Sequence, residues 1–210
     1  MRDRTAVTLG LTTLPLYALL LVAGTLTPQP DQVTDPESWA RFVSTDSYLI
    51  KHIATNVVGS VLVVLGTFAL GAAIRQRAAI VGMALSVTGH VLFTVPGVIS
   101  TFATPPIGQA YLRGNREVMT MEFADAMTVI TLLAVLLVVG GSIVLGVAVA
   151  RSGVFARWAG VLWAAAAVVF YLLGAALGMA TTGASLVTQP VGAGLLAVAG
   201  GAMVWRAARS

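Results

Sequence analysis

Residues 124–151 read ADAMTVITLLAVLLVVGGSIVLGVAVAR. Between Asp125 and Arg151 no side chain is charged. A helix of about 20 apolar residues spans the hydrocarbon core of a bilayer, and this run exceeds that length. Water is absent there, so such a run must satisfy its own backbone hydrogen bonds as a helix. Five similar runs begin near Ala6, Leu49, Ala78, Trp158 and Ser185, with arginines at their boundaries. The expected fold is therefore all-α, a polytopic transmembrane helical bundle. About six spans are expected, over residues 6–26, 49–74, 78–100, 124–150, 158–180 and 185–205.

Composition agrees. The chain is 58% hydrophobic and 10% charged, against about 25% charged in soluble domains, and its mean hydropathy is +0.92. Spans and loops use up residues 1–210, so one integral-membrane domain is expected. The absence of cysteine excludes disulfides, iron–sulfur clusters and Cys-ligated zinc. The apolar part of the N-terminal run, Thr5 to Leu26, is longer than the roughly 7–15 residues of a signal-peptide core, so a retained first helix is expected. Arginine outnumbers lysine eleven to one, a bias of high-GC bacterial genomes. The expected location is a bacterial plasma membrane.

Basic residues stay on the cytoplasmic side. With both termini inside, the inner face holds Arg2, Arg4, Arg75, Arg77, Arg151, Arg157, Arg206 and Arg209, and Asp3 is its one acid. The outer face holds Asp31, Asp35, Glu37, Asp46, Glu117, Glu122 and Asp125 beside Arg41, Lys51, Arg113 and Arg116. The sequence pI near 10.1 is thus a topology signal, and no nucleic-acid partner is expected. The inner connections are short. The outer loops, 27–48 and 101–123, exceed the roughly 12–15 residues beyond which loops are usually functional or disordered.

In the first outer loop, Asp35 before Pro36 predicts a capped short helix, with Trp39 as an interfacial anchor. In the second, Pro105 and Pro106 end the third span. Glycines seven apart, Gly59 and Gly66 on the second span and Gly82 and Gly89 on the third, predict close packing of those two spans on each other. Gly174 and Gly178 form a small-xxx-small pair on the fifth.

Ionisable and polar groups inside a membrane are costly, so each is a functional candidate. His52 and Asn56 share a face near the outer end of the second span. His90 lies near the middle of the third, flanked by Ser86 and Thr94. Glu122 and Asp125 stand at the outer end of the fourth. Tyr171 lies near mid-depth on the fifth, and Gln189 lies in the outer half of the sixth. Most costly groups fall in the outer half, the pattern of a cavity that opens outward. The plain alternatives are that His90 knits two helices, that His52 sits among headgroups, and that the two acids are first-turn residues favoured by the helix dipole. Against the last, Met121, Phe123 and Met127 provide apolar surroundings that raise a carboxylic acid's pKa, as a general acid near neutral pH requires.

These residues point first to an integral membrane enzyme. Its chemistry is acid–base (protonation, cyclisation or isomerisation) on a lipophilic, isoprenoid- or sterol-like substrate. Glu122, Asp125 and His90 are the candidate catalytic groups. Asn56, His52, Tyr171, Phe93, Phe123 and Gln189 are candidate substrate contacts, and Arg113 and Arg116 are candidates for a lipid phosphate. In size, helix-only make-up and acid placement the chain is similar to small membrane-bound terpene cyclases and sterol isomerases. Glu122-Phe123 resembles the acidic–aromatic pair of such cyclases, with Met121 where a tryptophan would precede it. An aspartate-rich DDxxD motif is lacking, which disfavours magnesium-dependent ionisation of prenyl diphosphates.

No cofactor or metal is expected. His52 and His90 lie at different depths, awkward for one haem iron, and no ligand spacing supports zinc. The alternative is a non-catalytic membrane subunit or a lipid- or small-molecule-binding protein. A transporter ranks below both, since no internal repeat is evident.

Overall fold

Apolar runs of this length have one way to satisfy their backbones in lipid. The computed structural model accordingly builds six helices long and apolar enough to cross a membrane. It describes residues 4–121, 124–182 and 186–209. The spans are α1 (Arg4–Thr25), α3 (Asp46–Ile74), α4 (Arg77–Phe102), α6 (Asp125–Arg151), α7 (Arg157–Ala176, continued by Leu177–Thr182) and α8 (Thr188–Arg209). The two long loops carry shorter helices, α2 (Pro36–Val43) and α5 (Thr104–Leu112). The chain is a multi-pass membrane protein of the α-helical bundle class.

The spans close a ring in chain order. α1 packs on α3, α3 on α4, α4 on α6, α6 on α7, α7 on α8, and α8 returns to α1. At the end away from the long loops the interior is filled by Leu14, Leu70, Leu145, Leu196 and Met203. At the other end α2 and α5 pack on each other and cap the ring. Asp35 Oδ1 accepts the Ser38 N–H at 3.1 Å and starts α2 before Pro36.

Two expectations are corrected. Trp39 is no interfacial anchor. It is 3% exposed, in a cluster with Ala40, Val43, Tyr48 and Tyr111, because the partner helix α5 covers the face that lipid would otherwise take. Nor do the glycine seams join α3 to α4. A Cβ on Gly66 would strike Leu14 and Thr13 of α1, and a Cβ on Gly82 would lie 2.7 Å from the Leu145 nitrogen of α6. A Cβ on Gly89 would lie 2.5 Å from the Val138 nitrogen of α6, and one on Gly141 would strike the Ser86 backbone in return. Consecutive antiparallel helices joined by a short link need not share their closest seam. Here α4 sets Gly82 and Gly89 against α6, while its Gly97 faces Asn56 of α3.

Two spans are locally underwound in the i→i+5 pattern. α3 is a π-helix over Ile53–Val58, and α7 over Val168–Ala176. Such insertions are rare and cluster at functional sites.

Gly89→Leu or Gly141→Leu should destabilise the bundle in detergent by at least the ~1–3 kcal/mol typical of overpacking, since backbone is what each side chain would meet. Gly140 has open space around its ideal Cβ, so Gly140→Ala should melt no lower than wild type. Equal melting temperatures for all three variants would contradict the backbone seam.

Candidate functional site

The capped end of the ring encloses a cavity of about 520 Å³, within the ~300–1,000 Å³ usual for small-molecule sites. Its wall is built from α1, α3, α4, α6, α7 and α8, and its mouth from the first long loop and α2. Both π-helical stretches contribute to the wall, through Thr55 and Asn56 and through Phe170, Tyr171 and Ala175.

The floor holds a hydrogen-bonded chain from three alternate spans. Tyr17 of α1 bonds the Tyr171 hydroxyl of α7. The Tyr171 hydroxyl lies 2.9 Å from His90 Nε2 on α4. His90 Nδ1 lies 2.7 Å from the Ser86 carbonyl oxygen. A carbonyl can only accept, so Nδ1 carries the proton. In the neutral ring Nε2 is then the acceptor, Tyr171 donates to it, and Tyr17 donates to Tyr171. The Tyr17 oxygen is left with acceptor capacity. All three side chains are at least 95% buried. Edge-on contacts fix the rings: Phe170 to Tyr171 at 4.8 Å, Phe93 to Tyr171 at 5.7 Å and Tyr17 to His90 at 6.1 Å between centroids.

Local sequence explains the assembly. Gly59 leaves room for the Tyr17 ring, whose Cδ2 would lie 3.2 Å from a Cβ there. Ser86 and His90 are one helical turn apart, so the ring reaches back to the carbonyl of the preceding turn. Gly82 and Gly89 bring this stretch of α4 onto α6.

Nearer the mouth, His52 Nδ1 donates to the Tyr48 carbonyl at 2.9 Å, and its ring stacks on Tyr48 at 3.7 Å. Asn56 Nδ2 donates to the Gly97 carbonyl and to Thr101 Oγ1, both at 3.1 Å. Lys51 Nζ donates to Thr27 Oγ1 at 3.1 Å. Among the described residues Lys51 is the one charged side chain in the lining. In the loop above, the N–H groups of Thr34 and Val33 hold the Asp31 carboxyl below its ordinary range. A hydrogen bond from Arg41 does the same for Glu37.

The structure brings His90, His52, Asn56, Tyr171, Phe93 and Gln189 to this one cavity. Asp125 is exposed and is not among the lining residues, so it stands outside the cavity that His90 lines. Met127 and Thr131 of α6 face the cavity, and at about 100° per residue Asp125 lies some 200° around the helix from Met127. Glu122 and Phe123 lie outside the described residues. Arg113 and Arg116 are exposed and do not line the cavity. Arg116 donates to the Tyr111 hydroxyl and lies over its ring at 4.4 Å. Of the other aromatics, Phe102 is exposed and Trp163 is buried in the apolar core.

Sequence reasoning missed Tyr17 and Lys51. For Tyr17 a signal existed. It stands thirteen residues from Arg4, as His90 stands thirteen from Arg77 and Tyr171 fourteen from Arg157. These offsets put all three about 20 Å along their helices from the basic end, at 1.5 Å per residue.

No group of His, Asp and Glu fit to hold a metal occurs among the described residues. No protein-family model, curated protein or solved structure compared with this chain matches it.

Tyr171→Phe strands both the Tyr17 hydroxyl and His90 Nε2 in a buried site, at about 1–3 kcal/mol. Tyr17→Phe removes only one donor to Tyr171. Melting in detergent should therefore fall further for Tyr171→Phe than for Tyr17→Phe. The reverse order would break the assigned direction of the chain.

Proposed function

We propose that this chain is an integral-membrane enzyme that moves protons on a lipophilic small molecule held in the capped cavity. The observation that carries this reading is the Tyr17–Tyr171–His90 chain at the cavity floor. A substrate proton passes to the Tyr17 oxygen as the Tyr17 proton passes to Tyr171 and the Tyr171 proton to His90 Nε2. His90 is then the general base, with Ser86 anchoring its other nitrogen. The proton received by Tyr17 exchanges with water in the open cavity, and reversal of the chain then delivers a solvent-derived proton to a different substrate atom. The net result is an isomerisation, such as a double-bond shift, and it needs no oxidant or co-reactant. Phe93 and Phe170 present aromatic surface to the apolar part of the substrate.

In this reading the acid–base role falls on the tyrosine–histidine chain, because the cavity lining holds no carboxylate among the described residues. Both termini face the cytoplasm of a bacterial cell, on the distribution of basic residues, and the cavity opens to the opposite side. That lack of a lining carboxylate also favours a second reading, a lipid- or small-molecule-binding protein without chemistry.

The test is solvent exchange. Purified protein is incubated in D₂O with a bacterial lipid extract, and the lipids are analysed by mass spectrometry. Wild type should place deuterium in a carbon-bound position of at least one lipophilic species. Tyr171→Phe and His90→Gln should lower the rate by at least about 100-fold, the lower bound for loss of a positioned acid–base group. A lipid that copurifies with wild type but gains no deuterium would overturn the enzyme and leave the binding protein.

A further inference from the structure

The hydrogen-bond inventory of the cavity wall states what kind of head group it can receive. Donors of the floor, and those of Asn56, Ser60 and His52 on the α3 wall, are already committed inside the protein. Tyr17 donates to Tyr171 and Tyr171 to His90, by the direction derived above. The Asn56 amide spends its N–H groups on Gly97 and Thr101. Ser60 donates to the Asn56 carbonyl at 2.5 Å. His52 spends Nδ1–H on the Tyr48 carbonyl.

On these residues acceptors are what remain; nearer the mouth, the Trp39 Nε1–H is buried without a partner and the Lys51 ammonium keeps N–H groups beyond the one given to Thr27. His52 Nε2 makes no hydrogen bond among the described residues, and neither does Asn56 Oδ1. The orientation of Asn56 is fixed because its nitrogen must face the Gly97 carbonyl. These two residues lie one turn apart on α3, where the π-helical stretch Ile53–Val58 begins, and both line the cavity. The Tyr17 oxygen also keeps acceptor capacity. Gln189, on the α8 wall, retains an amide that can act either way.

We propose that the cavity binds a neutral lipophilic alcohol. Its hydroxyl donates its one proton to His52 Nε2, and its apolar body lies against Phe93 and Phe170. The proposal deepens the proposed function by naming the substrate class, and it rests on that reading only for the site. Lys51 would attract a carboxylate or phosphate head, but beside His52 Nε2 and Asn56 Oδ1 such a head sets lone pairs against lone pairs. An amine would bring its positive charge to the wall that holds Lys51. A neutral hydroxyl supplies the missing donor without either conflict.

A site built to hydrogen-bond a hydroxyl rejects the analogue that lacks it, because its own polar groups are left unpaired. The experiment is equilibrium binding of three probes to purified protein in detergent: farnesol, farnesyl methyl ether and farnesoate. The ether keeps the body and the oxygen and removes the donor; farnesoate replaces the donor with an anion. Wild type should bind farnesol at least about tenfold more tightly than either, as expected for one buried hydrogen bond that is made or left unmade. In His52→Phe, which keeps a ring to stack on Tyr48 and removes Nε2, the preference for farnesol over the ether should shrink to below about threefold.

Equal binding of farnesol and the ether by wild type overturns the proposal without any variant. Tighter binding of farnesoate overturns it too, and so does an undiminished preference in His52→Phe. The two readings separate cleanly. An alcohol preference with no deuterium exchange removes the enzyme and leaves this inference standing. Deuterium exchange with no alcohol preference removes this inference and leaves the enzyme.

Discussion

Three spans that do not neighbour one another in the ring are tied at its centre by Tyr17, Tyr171 and His90. Helices in lipid gain little from burying apolar surface on each other, since the solvent is equally apolar. Close packing and polar contacts must set their register. An interhelical hydrogen bond in a membrane is worth only about 0.6–2 kcal/mol, whereas a buried polar group left without a partner costs about 2–7 kcal/mol. The chain therefore acts chiefly by penalising the alternatives. A slide of α1, α4 or α7 by one turn would separate these groups and leave several of them unsatisfied at once.

The remainder of the bundle accommodates that requirement. Gly59 makes space for the Tyr17 ring, and Gly82, Gly89 and Gly141 let α4 lie against α6 where Ser86 and His90 stand. The π-helical turns in α3 and α7 fall beside the same cavity. The bulge in α7 carries Tyr171 itself. Below this level the interior is filled with leucine, methionine and alanine. Above it the rings open into a cavity capped by α2 and α5. One floor thus serves two ends, a dry packed half and an open polar half.

Much of this was legible in the sequence. Apolar run length and bounding arginines carry the six spans, because lipid allows one backbone solution for such runs. Asp35-Pro36 marks the start of α2 because capping is local chemistry. His90, Asn56, His52, Tyr171 and Gln189 stand out as polar groups within apolar runs and Phe93 as an aromatic, and the structure brings all six to the cavity wall. Rotation about each helix axis was not legible. It decides that Asp125 turns away while Met127 faces in, that Trp39 meets α5 and not lipid, and that Gly82 and Gly89 of α4 serve α6. Runs that are apolar all round have no polar stripe to announce their facing. Tyr17 was passed over because tyrosine near a helix middle reads as ordinary packing until its height is compared with that of His90.

The central claim concerns one proton. The geometry places it on His90 Nδ1, facing the Ser86 carbonyl, and leaves Nε2 bare to accept from Tyr171. Nitrogen-15 NMR of selectively labelled histidine in bilayers reads this directly, with a His90 variant to assign the signal. At neutral pH the account predicts a protonated Nδ1 and an unprotonated, hydrogen-bonded Nε2. Replacing Tyr171 with phenylalanine should then shift Nε2 far more than Nδ1. A protonated Nε2 with a bare Nδ1, or an Nε2 signal indifferent to Tyr171, would contradict it.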